Sequence, residues 1–386
     1  MTPNRTVAPW PNVTLNGSGI SCIVALPDAR YGFYRNTRFD WGSMVGTITL
    51  RAPDGLNVTV SGDANSPAGF VAEFGCGGSG ALCPNVPSTT RAHTPGVMNG
   101  VLGFGDAGKG GQFLKMGVGR LRRPTAGRGA SHYETTWPYE LAEPPAWQVE
   151  RDTGGAHQGV SLEQSVRYKR WGWTLRRRVY TCDWPTRKRA AVCMDVRLTN
   201  HGEQSLRTPY CSHNLFALAG GPSTGPGFAI HLPALRDAAR HFIDLGWKNS
   251  SGYLPFGSIA NLILNDDGRP SHIALTRQLR AGEMALAAFN VRRARSRWDG
   301  RYDVTLPASR VWRLRVQHSL QARPPSTQGG PRAAPKPSSD WYQFTLQASR
   351  RALSPRLCTL VDLKSKETVE LTHRVGFSWE RVKGVA

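Results

Sequence analysis

Between Trp147 and Ser319 nearly every apolar stretch is short, alternates with polar residues and ends in turn chemistry. A chain written this way has little choice but to build sheets. The segments Trp147–Arg151, Val160–Arg170, Trp173–Thr181, Ala190–Thr199, Arg207–Ala217 and Gly227–Leu232 read as strands. So do Tyr253–Leu264, His272–Leu279, Met284–Val291, Arg301–Leu306 and Val311–Ser319. Period-2 alternation puts every second side chain on one face. Upstream, Met44–Leu50 and Leu56–Ser61 flank the turn residues Pro53-Asp54-Gly55, and Phe113–Leu121 reads as a further strand. A single short helix is predicted, over Ala234–Phe242 after Pro233. Many short strands with almost no helix imply an all-β fold, a large antiparallel β-sandwich.

The strand count exceeds that of an immunoglobulin-like domain, so one large two-sheet domain is expected over residues 1–321 of the 386. Residues 322–340 are rich in Pro, Gly and Ser and read as a linker. The remaining residues, 341–386, are too few to hold a core of their own. Their strand-like pieces, Trp341–Leu346, Arg356–Leu363 and Thr368–Thr372, are expected to add edge strands or to stay unordered.

The stretch Thr208–Phe216, TPYCSHNLF, holds the densest polar and aromatic mixture. Val192, Met194, Val196 and Leu198 alternate with Cys193, Asp195, Arg197 and Thr199 just upstream. Asn200-His201-Gly202 is turn chemistry, so the two segments are expected to pair as a β-hairpin. Tyr210, His213 and Asn214 on the returning strand would form a polar spot in an apolar cleft, suited to moving a proton on a small polar ligand. A hydrogen-bonded core histidine is the bland reading of His213.

A net charge of +22 raises nucleic acid or another polyanion as a partner. The distribution weakens that idea, because Arg120–Arg123, Arg176–Arg178, Arg187–Arg189 and Arg292–Arg297 are short, scattered clusters lying in or beside strand-like segments. Twelve Trp lean toward carbohydrate, since indole packs on sugar faces as readily as in cores. The seven Cys include no CxxC pair and no Cys/His zinc spacing, so no metal site is expected. Cys76 and Cys83 flank a Gly-rich loop and could bridge in an oxidising compartment, while Cys193 and Cys211 read as buried thiols. Asn4, Asn12, Asn16, Asn57 and Asn249 head Asn-x-Ser/Thr triplets, acceptors only in a secreted chain. No basic-then-apolar leader opens the sequence, and no apolar run reaches membrane-spanning length. A soluble protein is expected, with its compartment open. Gly103–Gly108 fits GxGxxG by letter, but no strand leads in and no helix follows, so it reads as a flexible surface loop.

Four segments, in order, carry a resemblance. They are Tyr34-Arg35-Asn36-Thr37-Arg38-Phe39-Asp40-Trp41, Glu73-Phe74-Gly75, Phe113-Leu114-Lys115-Met116-Gly117-Val118-Gly119, and Tyr210-Cys211-Ser212-His213-Asn214-Leu215-Phe216. Each alone is weak. As an ordered set, over roughly residues 18–320, they resemble the galactose mutarotase-like (aldose 1-epimerase-like) superfamily. The resemblance implies a large antiparallel β-sandwich with a sugar site in a groove on one sheet. It also implies cofactor-free exchange of sugar anomers, in which a carboxylate takes the C1 hydroxyl proton and a His protonates the ring oxygen. Acid and base groups each contribute about 10²–10⁴-fold to such a step.

On this resemblance His213 is the acid. Arg38 and Lys115 contact hydroxyls or a phosphate of a sugar or sugar phosphate, with Tyr210, Asn214 and Glu73 as further substrate contacts. Each has an alternative. Arg38 could pair with Asp40, Lys115 could snorkel from a strand edge, and Glu73 could anchor a loop. The family's Glu base is missing from Arg297-Trp298-Asp299-Gly300-Arg301-Tyr302-Asp303. Asp299, one methylene shorter, is the nearest carboxylate. Asp303 sits on an apparent strand, and Glu283 reads as a turn residue. The departure makes a sugar-binding protein that has lost catalysis the alternative to an isomerase.

Overall fold

The computed structural model describes residues 10–61, 69–74, 101–134, 137–152, 154, 157–184, 189–219, 221, 224–231, 242–243, 253–254, 260–264, 270–278, 284–292, 301–327, 341–350 and 352–382. They form sheets of twelve, ten and four strands. The twelve-stranded sheet runs at its centre through Val45–Arg51, Phe70–Phe74, Leu206–Asn214, Leu353–Leu363, Trp341–Ser349 and Met284–Arg292. The ten-stranded sheet runs through Gly159–Tyr168, Trp171–Trp184, Arg189–Asn200, Glu367–Arg381, Trp312–Thr327 and Arg301–Pro307. Neighbours in these two series pair antiparallel. The protein is an all-β sandwich, as the alternation predicts.

Alternation also builds the core. Val192, Met194, Val196 and Leu198 of one sheet and Leu206, Tyr210, Leu357 and Val361 of the other belong to one buried cluster. The small sheet, with Gln112–Lys115 and Gly119–Arg122 at its centre, has a second core of Phe104, Phe113, Val118, Leu121, Tyr133 and Tyr139, closed by Trp41.

The expected hairpin is an arch instead. Arg189–Asn200 lies in the ten-stranded sheet and Leu206–Asn214 in the twelve-stranded one, so the turn at Asn200 crosses from layer to layer. The Asn200 side chain holds the crossing, donating to the Gln204 carbonyl at 2.8 Å and to the Leu363 carbonyl at 3.1 Å. The chain repeats the crossing at Lys364–Lys366, between Leu353–Leu363 and Glu367–Arg381. The two arches nest, with Leu206 opposite Leu363 and Thr199 opposite Thr368.

That nesting corrects the reading of residues 341–386. They are not edge strands. Leu353–Leu363 lies between the His213 strand and Trp341–Ser349, and Glu367–Arg381 lies between Arg189–Asn200 and Trp312–Thr327. The tail needs no core of its own because it is the centre of the shared one. The expected linker is also shorter at its start, since the strand from Trp312 continues to Thr327.

Smaller differences follow local chemistry. Phe113–Leu121 is a hairpin, because Gly117 and Gly119 adopt positive φ (76° and 139°) and turn the chain within the apolar run. The Gly103–Gly108 segment is anchored, with Phe104 and Ala107 buried and their carbonyls accepting from the Arg123 guanidinium at 3.0 and 2.6 Å. Cys193 and Cys211 are not thiols, because the pairs Cys182–Cys193 and Cys211–Cys358 are disulfides. Cys22 is a buried free thiol. A four-residue helix, Arg128–Ser131, was not anticipated. The predicted helix Ala234–Phe242, the Cys76–Cys83 pairing and the triplets at Asn4 and Asn249 lie outside the described residues, apart from Phe242, which is strand. No described helix is long and apolar enough to cross a membrane.

Candidate functional site

The four segments of the resemblance meet at one place. The Asp40 backbone N–H donates to Ala72 at 3.1 Å, and that of Trp41 donates to Gly117 at 3.0 Å. These bonds tie the Tyr34–Trp41 loop to the Glu73 strand and to the Lys115 turn. Glu73 Oε1 lies 2.8 Å from His213 Nε2, and Glu73 Oε2 accepts from Arg38 Nε at 3.4 Å. The Lys115 ammonium donates to the Phe74 carbonyl. Phe39 meets the His213 ring edge-on at 5.3 Å, with the Arg38 guanidinium 4.8 Å from the Phe39 ring centre.

Strand parity sorts the candidates onto two faces. Glu73 and Val71 share a face with His213, which stands opposite Val71 in the register. Tyr210, Ser212 and Asn214 point the other way, into the sandwich. Tyr210 is bonded to His373 at 2.8 Å, Ser212 to His318 at 3.2 Å, and Asn214 donates to the Tyr302 hydroxyl. All three partners belong to the ten-stranded sheet. Tyr210 and Asn214 therefore join a hydrogen-bonded interior network, and the structure does not bring them to the His213 face. Neighbours in a strand cannot both line one groove.

Arg38 pairs with Glu73 and leaves Asp40 to another partner. Asp40 caps the short 3-10 turn Trp41–Ser43 by accepting from Gly42 at 2.8 Å, and it forms a fully buried ion pair with Arg177. Arg177 also donates to the Tyr210 hydroxyl at 3.2 Å. This ion pair links the loop that carries Arg38 to the second sheet. Lys115 is buried rather than snorkelling, with 2% of its surface exposed.

A fifth member was missed. Arg356, on the strand Leu353–Leu363, sits opposite His213 and donates to Glu73 Oε1 at 3.4 Å. One carboxylate thus faces His213, Arg38 and Arg356. The strand is buried over most of its length, as a central strand is, but one parity of LSPRLCTLVDL carries Ser354, Arg356 and Asp362, so alternation alone reads as a strand with one exposed face.

The electrostatics follow. Burial alone would push the Glu73 carboxyl up, but His213, Arg38 and Arg356 outweigh it and hold the group well below the usual carboxylate range. Burial pushes His213 down to about 4; Glu73 opposes the shift, and Arg356 and Arg38 add to it. Burial likewise lowers Lys115 to about 8, against the pull of Glu73 and Asp40. At neutral pH Glu73 is ionised and His213 is neutral. An ionised carboxylate only accepts, so the 2.8 Å contact fixes the imidazole proton on Nε2 and leaves the lone pair on Nδ1. Arg38 is the accessible rim, its side chain 32% exposed beside the nearly closed His213 at 9%. Such a site can orient a polar ligand at Arg38 and exchange a proton at His213.

Asp299 and Glu283 lie outside the described residues. Asp303 is on a strand of the ten-stranded sheet, ion-paired with Arg315, and belongs to no part of this cluster. Among the described residues no group of three His, Cys, Asp or Glu is arranged to hold a metal ion.

No family model matches the chain, and no curated protein matches it by sequence. Solved structures do match. The Slr1438 protein of Synechocystis is 11% identical at a TM-score of 0.46, with 98% of each chain covered. A galactose mutarotase-like protein from Lactobacillus casei is 11% identical at 0.45, covering 95% of this chain and 100% of its own. A galactose mutarotase related enzyme from Lactobacillus acidophilus is 8% identical at 0.41, covering 97% and 99%. Identities this low transfer no residue's role.

Proposed function

We propose that the Glu73–His213 cluster is a sugar site and that the chain is an aldose 1-epimerase-type isomerase. The observation that carries the reading is the meeting of the four segments, whose Arg38, Lys115 and His213 collect around the Glu73 carboxylate. In this reading Arg38 holds a sugar hydroxyl or phosphate. His213 takes a proton from solvent on Nδ1 and becomes an imidazolium, which the ionised Glu73 stabilises through Nε2–H, as a carboxylate supports a catalytic imidazole elsewhere. The imidazolium then delivers that proton to the ring oxygen as the C1–O5 bond opens. Rotation about C1–C2 and closure complete the exchange. Asp299, on the resemblance, is the carboxylate that takes the C1 hydroxyl proton.

A sugar-binding protein without catalysis is the second reading. The depressed proton affinity of His213 favours it, because a neutral imidazole is a poor acid at pH 7. Anomer exchange measured by NMR on free and 6-phosphorylated aldoses separates the two, with His213→Ala and Asp299→Ala beside the wild type. Acceleration lost in both variants supports the isomerase and both roles. Loss in His213→Ala alone removes Asp299. Saturable line broadening by one sugar, without acceleration, selects the binding protein, and neither effect with any aldose overturns both readings.

A further inference from the structure

Arg356 comes from outside every segment that carries the resemblance, yet its guanidinium shares Glu73 Oε1 with His213 Nε2, at 3.4 and 2.8 Å. It is 4% exposed. Two residues along the same strand, on the same face, Cys358 is bonded to Cys211. The register makes a lattice. Glu73, Cys211 and Cys358 stand side by side across three strands, and Val71, His213 and Arg356 stand side by side in the next row. The disulfide therefore joins the His213 strand to the Arg356 strand beside the cluster.

We propose that Arg356 is a positioning residue of this site: the C-terminal strand delivers its guanidinium to the Glu73 oxygen that holds His213, and the Cys211–Cys358 disulfide locks the register that delivers it. A slip of one residue would turn Arg356 into the apolar interior and bring Leu357 to the site. A slip of two would carry the guanidinium about 7 Å along the strand, beyond reach of Glu73. A cation on Oε1 fixes the carboxylate plane, and with it the ring of His213. It also keeps Glu73 ionised, so that the lone pair of His213 stays on Nδ1. The charged groups facing His213 among the described residues are Glu73, Arg356 and Arg38, with Lys115 beside Glu73.

What is positioned rests on the sugar-site reading, but the test does not depend on it. The His213 imidazole is titrated by NMR in the wild type, Arg356→Gln, Arg356→Lys and the double variant Cys211→Ala/Cys358→Ala, each checked for cooperative unfolding. Arg356→Gln is expected to raise the His213 titration by about one unit, because a like charge leaves and Glu73 loses a counter-charge. Arg356→Lys is expected to restore part of the shift, and the double variant to move it in the same direction as Arg356→Gln. Anomer exchange, where present, is expected to fall on the order of 10²-fold in Arg356→Gln. An unmoved titration in Arg356→Gln overturns the positioning role. If that variant does not fold, Arg356→Met takes its place, and an unmoved titration there overturns the role. A wild-type titration in the double variant overturns the register lock. Shifted titrations in a protein with no anomer exchange keep the positioning role and remove the isomerase instead.

Discussion

Glu73 and His213 are bonded at 2.8 Å across a sequence separation of 140 residues, on adjacent strands of the twelve-stranded sheet. The pair is buried, with side chains 1% and 9% exposed, and Glu73 is the shared counter-charge for Arg38 and Arg356. The consequences for stability and for chemistry can be separated.

Removing the carboxylate leaves buried cations without their partner. Glu73→Ala is expected to destabilise the fold by about 3–5 kcal/mol, the range for breaking a buried ion pair from one side. Urea unfolding at pH 7 measures it, and a loss below 1 kcal/mol would mean that solvent reaches the cluster.

Acid acts through the buried imidazoles. Burial lowers His213 to about 4 and His318 to about 3, and lowers His373 as well. In the unfolded chain these rings take up protons near pH 6.5, while in the fold they resist, so their contribution is intact above 6.5 and is lost as pH falls toward 4 and below. His213 alone accounts for roughly 3 kcal/mol over that window. Glu73, whose folded value is depressed, adds a further loss at lower pH. Unfolding midpoints followed from pH 8 downward should begin to drop near 6.5, and His213→Gln should flatten the first part of the drop.

Gly117 is pinned by backbone and by neighbours. Its φ is 76°, and a Cβ there would run into the Asp40 carboxylate, which Arg177 holds in place. Gly117→Ala is expected to cost at least about 1–3 kcal/mol from strain alone. A melting curve tests this, with Gly105→Ala as the comparison because the space there is open.

The C-terminal residues should be indispensable. A chain ending at residue 340 loses Leu353–Leu363 and Glu367–Arg381 from the middle of both sheets. It is expected to show no cooperative unfolding by circular dichroism. A cooperative melt would mean that the two sheets close without these strands.

Much of this was readable from the residues because alternation is local. The strands around His213 and the all-β class follow from it, and His213, Glu73, Arg38 and Lys115 are legible from their segments. Three things were misread. Asn200-His201-Gly202 suits a hairpin and an arch equally, and only the strands that fill the gap, contributed from beyond residue 340, decide between them. Tyr210 and Asn214 looked like site residues by company, although an odd step along the strand from His213 already sends them to the opposite face. Arg356 was hidden by the same error, since a segment read as an edge offers no reason to look for a buried charge.

In the isomerase reading His213 is a Glu73-held imidazole, neutral at rest, whose imidazolium form protonates the ring oxygen. The most direct measurement is the pH dependence of kcat/KM for anomer exchange on the responding aldose, in wild type and His213→Ala. With the imidazolium as the acid, the rate should rise as pH falls from about 7 toward about 4, following the protonated fraction of the ring, and be absent in His213→Ala. A rate that stays flat or climbs as pH rises through about 5 to 7, or that survives in His213→Ala, would contradict it.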